Sequence, residues 1–428
     1  MSNNITPPST AVTVSILGGL FFLFGFVTWL NGALVPYLQL ICDLTETQAL
    51  LVASSFYIAY VVMALPMSFV LDKVGLKQGM VLGLALMSVG LLLFIPAAFG
   101  QTFALFLLAQ FVLGSGLTIL QTASNPYLVI SGPNESAAAR IAVMGILNKA
   151  AGVLAPLLFT ALVLSGFSDV NQASLSLLSD TERQLQIGQL AKQMVMPYLG
   201  LASIVMVLAF AMAKSPLSSL EITRDPHSSQ SLLDFPHLLF GVIALFFYVG
   251  VEVIAADTIG LYGSSLGLPN VTALTAYTMV FMVVGYVLGL LCIPRIASQS
   301  VVLSVSGFVG LILCVLISVV DEQSTALAQT LWGWSGISLL PDPLVLIALL
   351  GLANAMVWPT IWPLAIAGLG DYTARGSAWL IMAIAGGAIL PPLFGQVVAQ
   401  VGYQHSYLTL IIGYIVIASY GVLHQRQR

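Results

Sequence analysis

The stretch AAARIAVMGILNKAAGVLAPLLF (137–159) decides the fold, because a version of it returns as YTARGSAWLIMAIAGGAILPPLF (372–394). A shift of 235 residues places Ala139 on Ala374, Arg140 on Arg375, Gly152 on Gly387, Pro156 on Pro391 and Phe159 on Phe394. Chance supplies two such matches readily; five within 21 residues point to an internal repeat. Each copy is mostly apolar and long enough to cross a bilayer, which takes about 20 residues. The chain therefore reads as two related halves.

Composition extends that reading outward. Of 428 residues, 59% are hydrophobic and 7% charged, with a mean hydropathy of +1.03. A soluble protein carries about 25% charged residues, so a water-soluble globule is excluded. The 12 Lys and Arg against 16 Asp and Glu leave a net charge of −4, which gives nucleic acid no electrostatic handle. Cys42, Cys292 and Cys314 lie far apart in or beside apolar runs and form neither a disulfide framework nor a metal cluster. The segment Met1 to Thr10 lacks a basic n-region, so the first apolar span is expected to stay in the membrane.

Twelve apolar stretches can be marked: 11–38, 48–71, 78–99, 102–131, 139–165, 194–213, 236–263, 270–293, 300–320, 343–369, 374–400 and 403–423. They predict an all-α membrane protein with twelve transmembrane helices. Residues 214–235 contain two prolines, six serines and mixed charge, and read as a polar linker. The expected organisation is a six-helix bundle over 1–213, that linker, and a second six-helix bundle over 236–428. Orientation follows from the loops. With the N-terminus inside, the cytoplasmic breaks hold Lys73, Lys77, Arg140, Lys214, Arg224, Arg295, Arg375, Arg426 and Arg428, and the opposite breaks hold only Arg183 and Lys192. Both termini are expected in the cytoplasm, and Lys149 is left inside a span.

Parallel six-helix repeats with a substrate site at midplane are the architecture of major facilitator transporters, and the chain resembles that superfamily. Asp72-Lys73-Val74-Gly75-Leu76-Lys77 looks like its gating-loop signature, with Ser68 where the family has a leading glycine; a short turn with positive-inside lysines is the plainer account. LNGALVP (30–36), LQTASNPYL (120–128), FFYVGVEV (246–253), WPTIWPLAIAGLG (358–370) and AGGAILPPLF (385–394) are similar to the fucose:proton symporter family, including its glucose/galactose branch. That resemblance covers nearly the whole chain and implies sugar uptake driven by a cation gradient, in a plasma membrane, most simply a bacterial inner membrane. It implies a chain that works as a monomer, with no cofactor beyond co-transported Na⁺ or H⁺.

Ionisable groups within a span are functional candidates by default, because insertion costs about 2.5–3.5 kcal/mol. Three qualify as a coupling or charge network: Lys149, Glu252 and Asp257. Lys149 lies nine residues past Arg140, about 14 Å into span 5. It reads either as a substrate or coupling residue or as a structural partner of Glu252. Glu252 and Asp257 are five positions apart on span 7, about 140° around a helix, and would share a face only if the helix unwound near Gly250 or Gly260. Asp257 is expected to face the extracellular funnel.

Sugars are recognised by dense hydrogen bonding plus apolar contact with a ring face. Neutral amides at mid-depth supply the first: Asn31 in span 1, Gln121 and Asn125 four apart on span 4, and Asn148 beside Lys149. Pro126 frees the carbonyl of Thr122 as a further acceptor. Interhelical glue is the competing role for any one of them. Asn354, Trp358 and Trp362 form one stripe on span 10, where Pro359 and Pro363 predict a kink. Tryptophan in a membrane helix normally sits in the interfacial belts; Trp358 instead lies near the middle of its span, where an indole face can pack on a hexose. Core packing is the alternative for Trp362.

The family pattern also fails at two places. Proton-coupled members carry acidic residues where this chain has Gly32 and Gln121, while Asn31, Asn125, Pro126 and Asn148 match. Neither substitute titrates, so three options stand: Na⁺ coupling, which the glucose/galactose branch implies and which ranks slightly first; H⁺ coupling moved to Glu252; or facilitated diffusion. The branch resemblance implies glucose, galactose or an amino sugar such as N-acetylglucosamine as substrate, and Gly32, Ala33 and Ser124 leave room for an N-acetyl group. A drug-efflux antiporter on the same fold would prefer a wide apolar cavity with a lone carboxylate. An enzyme would need clustered catalytic groups; His227, His237, His405 and His424 lie at or near segment ends, and no HExxH or CxxC occurs. A sensor would bind sugar without accumulating it.

Overall fold

The computed structural model describes residues 10–130, 137–164, 174–175, 177–217, 232–293, 296–369 and 373–426. Among the described residues there are helices and no strand. That follows from the solvent: in hydrocarbon each backbone N–H and C=O must find its partner within the segment, and an α-helix achieves this locally. Span 1 is Thr10–Cys42, spans 2 and 3 form one run Glu46–Gly100, span 4 is Phe103–Ile130 and span 5 is Ala137–Val163. Span 6 is Val195–Lys214, span 7 Pro236–Ser265, span 8 Thr275–Cys292 and span 9 Gln299–Val319. Span 10 is split into Asp342–Ala355 and Val357–Ile366. Span 11 comprises Thr373–Met382, a short turn and Gly386–Ser406, and span 12 is Ile411–Arg426.

Among the described residues eleven stretches are long and apolar enough to cross a membrane, and the last, Trp379–Gln425, has 47 residues. Straight, it would reach about 70 Å, more than twice the roughly 30 Å hydrocarbon thickness. It is instead broken at Gly402 (φ 78, ψ 170), as the run through spans 2 and 3 is broken at Gly75 (φ 76, ψ 168). Only glycine reaches that region without strain. Gly75 already separates two of the eleven, Thr47–Ala64 and Lys73–Gly100, and dividing Trp379–Gln425 at Gly402 makes twelve crossings among the described residues.

Local signals set the ends. Thr45 opens span 2 with a capping box: Gln48 N donates to Thr45 Oγ1 at 3.3 Å and Thr45 N donates to Gln48 Oε1 at 3.0 Å. Pro236 occupies the first turn of span 7, where its missing N–H costs nothing. Span 10 breaks at Met356 because Pro359 has no N–H for the Ala355 carbonyl; Thr360 restores order by donating its hydroxyl to Met356 O at 2.6 Å. Span 7 stays helical through Gly250 and Gly260, so the unwinding considered there does not occur. The loop after span 5, with Arg183 and Lys192, contains a polar helix, Asp180–Gln193, which buries Ile187, Leu190 and Ala191. Its capping pair is solvent-exposed, and hydrogen bonds from the Ser179 hydroxyl and N–H hold the Glu182 carboxyl below the usual carboxylate range. Of the expected linker 214–235, residues 218–231 lie outside the described residues, as do 1–9. Lys77 Nζ donates to Ser215 O at 2.8 Å where that linker begins.

Within the first six spans, span 1 packs on span 5, and the 46–100 run packs on spans 4 and 6. Within the last six, span 9 packs on span 12, span 8 on span 10, and span 7 on spans 10, 11 and 12. The two sets meet along span 1 with span 7, span 5 with span 8, and the 46–100 run with span 11. At the face opposite the termini, Thr160 Oγ1 and Thr272 Oγ1 lie 2.6 Å apart and join the two sets. Deeper on the same side, the Tyr57 ring of span 2 lies 3.0 Å from where a Cβ on Gly387 of span 11 would stand.

Candidate functional site

The seam between the two sets is polar at its centre. Lys149 Nζ of span 5 stands 2.8 Å from Glu252 Oε1 of span 7, and each side chain is only 8% exposed. Tyr248, one turn before Glu252, donates its hydroxyl to the same oxygen at 2.7 Å. Moving both charges out of water costs several kcal/mol per ion, and close pairing with an added hydrogen bond offsets it. On its other flank Lys149 Nζ lies 4.1 Å from the Trp29 ring centroid, within cation–π range.

From this pair, contacts run outward on both sides. Trp29 Nε1 donates to Asn148 Oδ1 at 3.3 Å, and Asn148 Nδ2 donates to Phe21 O at 3.3 Å. In the other direction the Tyr248 ring lies 6.4 Å from Trp358, which stacks on Trp362 at 5.4 Å and 26°. Asn148, Lys149, Glu252, Trp358 and Trp362 thus belong to one chain of contacts through the seam. Asn148, Trp358 and Trp362 keep partial exposure, while Lys149 and Glu252 are buried.

Gln121 lies on span 4 and donates Nε2 to Tyr60 OH at 2.9 Å; it is also half-buried. Tyr60 stacks beside Tyr57 with centroids 6.4 Å apart. Two other amides face inward on their own sets. Asn31 Oδ1 accepts from Gln110 Nε2 at 2.6 Å, and Asn354 Oδ1 accepts from Tyr414 OH at 3.0 Å, with Asn354 fully buried. Asn125 and Asp72 lie on helices, but their side chains are outside the described residues. Lys73 is exposed in the turn at Gly75, and Lys77 is committed to Ser215.

Asp257, expected to face the extracellular funnel, is buried in this structure. It is 1% exposed, and its Oδ2 has no hydrogen-bond partner among the described residues. The reason is packing: adjacent Ala256 is clustered with Trp29, Met279 and Met282, which fill the space between spans 1, 7 and 8. No three His, Cys, Asp or Glu among the described residues could together hold a metal ion.

Sequence reasoning missed Trp29, Tyr248, Tyr57, Tyr60 and Gln110. Trp29 carries the signal that singled out Trp358, an indole at mid-span rather than in an interfacial belt. Tyr248 is four residues before Glu252 and so shares its helix face. For Tyr57, Tyr60 and Gln110 no local pattern names the partner.

Comparison with known proteins fits this geometry. The Major Facilitator Superfamily profile matches residues 17–392. A glucose/galactose transporter of Brucella abortus biovar 1 (strain 9-941) is 34% identical, covering 94% of this chain and 92% of that protein. The L-fucose-proton symporter of Escherichia coli (strain K12) is 28% identical over 91% and 87%. The crystal structure of FucP in the outward conformation matches with a TM-score of 0.72 at 26% identity, covering 97% of this chain and 99% of that one. The chain is a multi-pass membrane transporter, not an enzyme, and belongs to the Major Facilitator Superfamily.

Proposed function

We propose that the chain imports a hexose or amino sugar, of the glucose, galactose or N-acetylglucosamine type, by cation symport. Alternating access follows: the bundles 1–213 and 236–428 rock about a midplane site, with both termini in the cytoplasm of a bacterial cell. The relatives' printed names support a sugar as cargo. The observation that carries the reading is the run Asn148–Trp29–Lys149–Glu252–Tyr248–Trp358–Trp362, which sets amide and charged hydrogen-bonding groups against stacked indoles across the seam. Amides suit hydroxyls that both donate and accept, and indole faces suit the C–H face of a pyranose. Asn148, Gln121, Trp358 and Trp362 keep accessible surface and are the foremost sugar contacts. Asn31, Asn125, Asn354 and Lys149 complete the set once the seam opens, and Asp72, Lys73, Gly75 and Lys77 form the gating loop.

The test is uptake of labelled glucose, galactose and N-acetylglucosamine by proteoliposomes holding the full chain, with a panel of unlabelled sugars as competitors. Saturable uptake with one sugar as best competitor is expected. Uptake indistinguishable from protein-free vesicles for all three removes the proposal. Saturable uptake that no Na⁺ or pH gradient drives would leave a sugar uniporter and remove symport.

A further inference from the structure

Three charges sit within the spans at the seam, and they do not balance. Lys149 and Glu252 neutralise one another. Asp257 is left over, nearly fully buried, with Oδ2 unpartnered among the described residues. It lies eight residues before the end of span 7 at Ser265, about 12 Å deep, on the face where Thr160 and Thr272 join the two sets. An ionised carboxylate there has no counter-charge among the described residues, which is a costly state in a low-dielectric interior. A closed seam of this kind therefore requires a cation at Asp257.

Its surroundings decide which cation. The hydroxyls of the residues flanking Asp257 in the chain and packing donate elsewhere and not to its carboxylate: the Thr258 hydroxyl donates to Ile254 O at 2.6 Å, with Tyr407 OH 2.6 Å away, and the Thr275 hydroxyl donates to Ala256 O at 2.8 Å. A sodium ion needs several oxygens gathered around it, and no group of three His, Cys, Asp or Glu among the described residues brings further carboxylates to Asp257. A proton needs only the carboxylate. The titratable groups around it agree. From span 2, Tyr57 is within electrostatic reach of both Asp257 and Glu252. From span 5 comes Lys149, held by Glu252, and from the turn before span 12 comes Tyr407, held by Thr258. Span 1 carries no Asp, Glu, Lys, Arg or His; span 8 carries none either. The acidic residue of span 10, Asp342, opens that span at the face opposite the termini, where it accepts from Ser324 and from Leu327 N. In span 11, Arg375 is near the termini face and His405 is in the last turn.

We propose that Asp257 is the proton-coupling carboxylate of this transporter: the face opposite the termini closes over the protonated acid and not over the anion. The inference rests on the sugar-transport reading and sharpens it, replacing Na⁺ with H⁺ and moving the acid across the seam from Gly32 and Gln121 to span 7. With that face open, the carboxylate takes a proton from hydronium and leaves water. With the termini face open, the acid returns the proton to water entering there, and the anion favours reopening.

The test is sugar-driven proton movement in proteoliposomes. Wild type should accumulate sugar above equilibrium under an inward proton gradient and alkalinise the outside when sugar is added. D257N should lose both, bringing the accumulation ratio to about one, while still exchanging labelled for unlabelled sugar, because exchange needs no net proton transfer. D257E, which keeps an acid, should retain driven accumulation, and this separates acid chemistry from packing. Driven accumulation by D257N overturns the proposal, as do wild-type accumulation that follows Na⁺ alone and equal loss in D257N and D257E with both proteins monodisperse. Wild type that exchanges sugar without coupling sinks this inference only; wild type that moves no sugar sinks the function on which it rests.

Discussion

Spans 7 and 10 reach the seam from the same set of helices and are built in opposite ways. Span 7 is unbroken from Pro236 to Ser265 and carries two buried carboxylates. Span 10 breaks at Met356 and carries its two half-buried indoles on the short segment Val357–Ile366. The chemistry explains the division. Charge-assisted hydrogen bonds are short and directional, so Glu252 between Lys149 and Tyr248 needs a rigid rod. Aromatic contacts are broad and tolerate sliding, so Trp358 and Trp362 can ride on a hinge. Charges belong to the part that seals, and indoles to the part that bends.

The largest effect comes from breaking the rod's partner. Lys149→Ala leaves Glu252 buried with only Tyr248, and removing one member of a buried pair costs about 3–5 kcal/mol. Uptake should fall at least about a hundredfold and the melting temperature should drop, as measured by transport and by thermal unfolding in detergent. The double variant K149A/E252Q should recover part of the melting temperature. If both variants melt like wild type, the pair is not what holds spans 5 and 7 together.

On the hinge the expected losses are smaller and differ in kind. Trp358→Ala removes a stacked face worth about 1.5 kcal/mol, so half-saturation should rise about tenfold with the protein still inserted; an unchanged half-saturation would deny the indole a sugar. Pro359→Ala gives residue 359 an N–H for the Ala355 carbonyl and mends the break. One net hydrogen bond is worth about 1 kcal/mol, so the maximal rate should fall about fivefold while half-saturation moves less. A rate equal to wild type would mean that span 10 does not bend during transport.

How far the sequence reached differs between these regions for the same physical reason. Helix count, the polar chemistry at mid-depth and the Trp358–Trp362 stripe are local: they depend on hydropathy and on spacing within one span. So does the break before Pro359. Partner choice is not local. Asn31 and Asn148 are the same residue type in neighbouring spans, yet one bonds Gln110 within its own set and the other bonds Trp29 beside Lys149. Only the rotation of each helix about its axis separates them, and no spacing rule fixes that rotation when apolar residues surround both. Asp257 shows the same limit. Its depth was readable, but the packing of Trp29, Met279 and Met282 that buries its surroundings joins residues some 230 to 250 positions apart.

The smallest effect lies at the rim, far from both spans' side chains at midplane. Thr160 has one hydroxyl proton, and it goes to Pro156 O at 2.8 Å. Thr272 must therefore be the donor in the 2.6 Å contact between the two sets. Thr272→Val keeps the shape and removes that donor, while Thr160 keeps its own bond. Because opening the seam would give both hydroxyls water instead, the net loss should sit near 0.5 kcal/mol, the low end for a protein hydrogen bond. The population open at that face should rise about twofold, read by labelling of a single cysteine placed in span 7 at Ala255 in a cysteine-free background. Labelling that rises tenfold or more would move the seal from the Lys149–Glu252 pair to the rim, and the division between a sealing rod and a bending span would have to be redrawn.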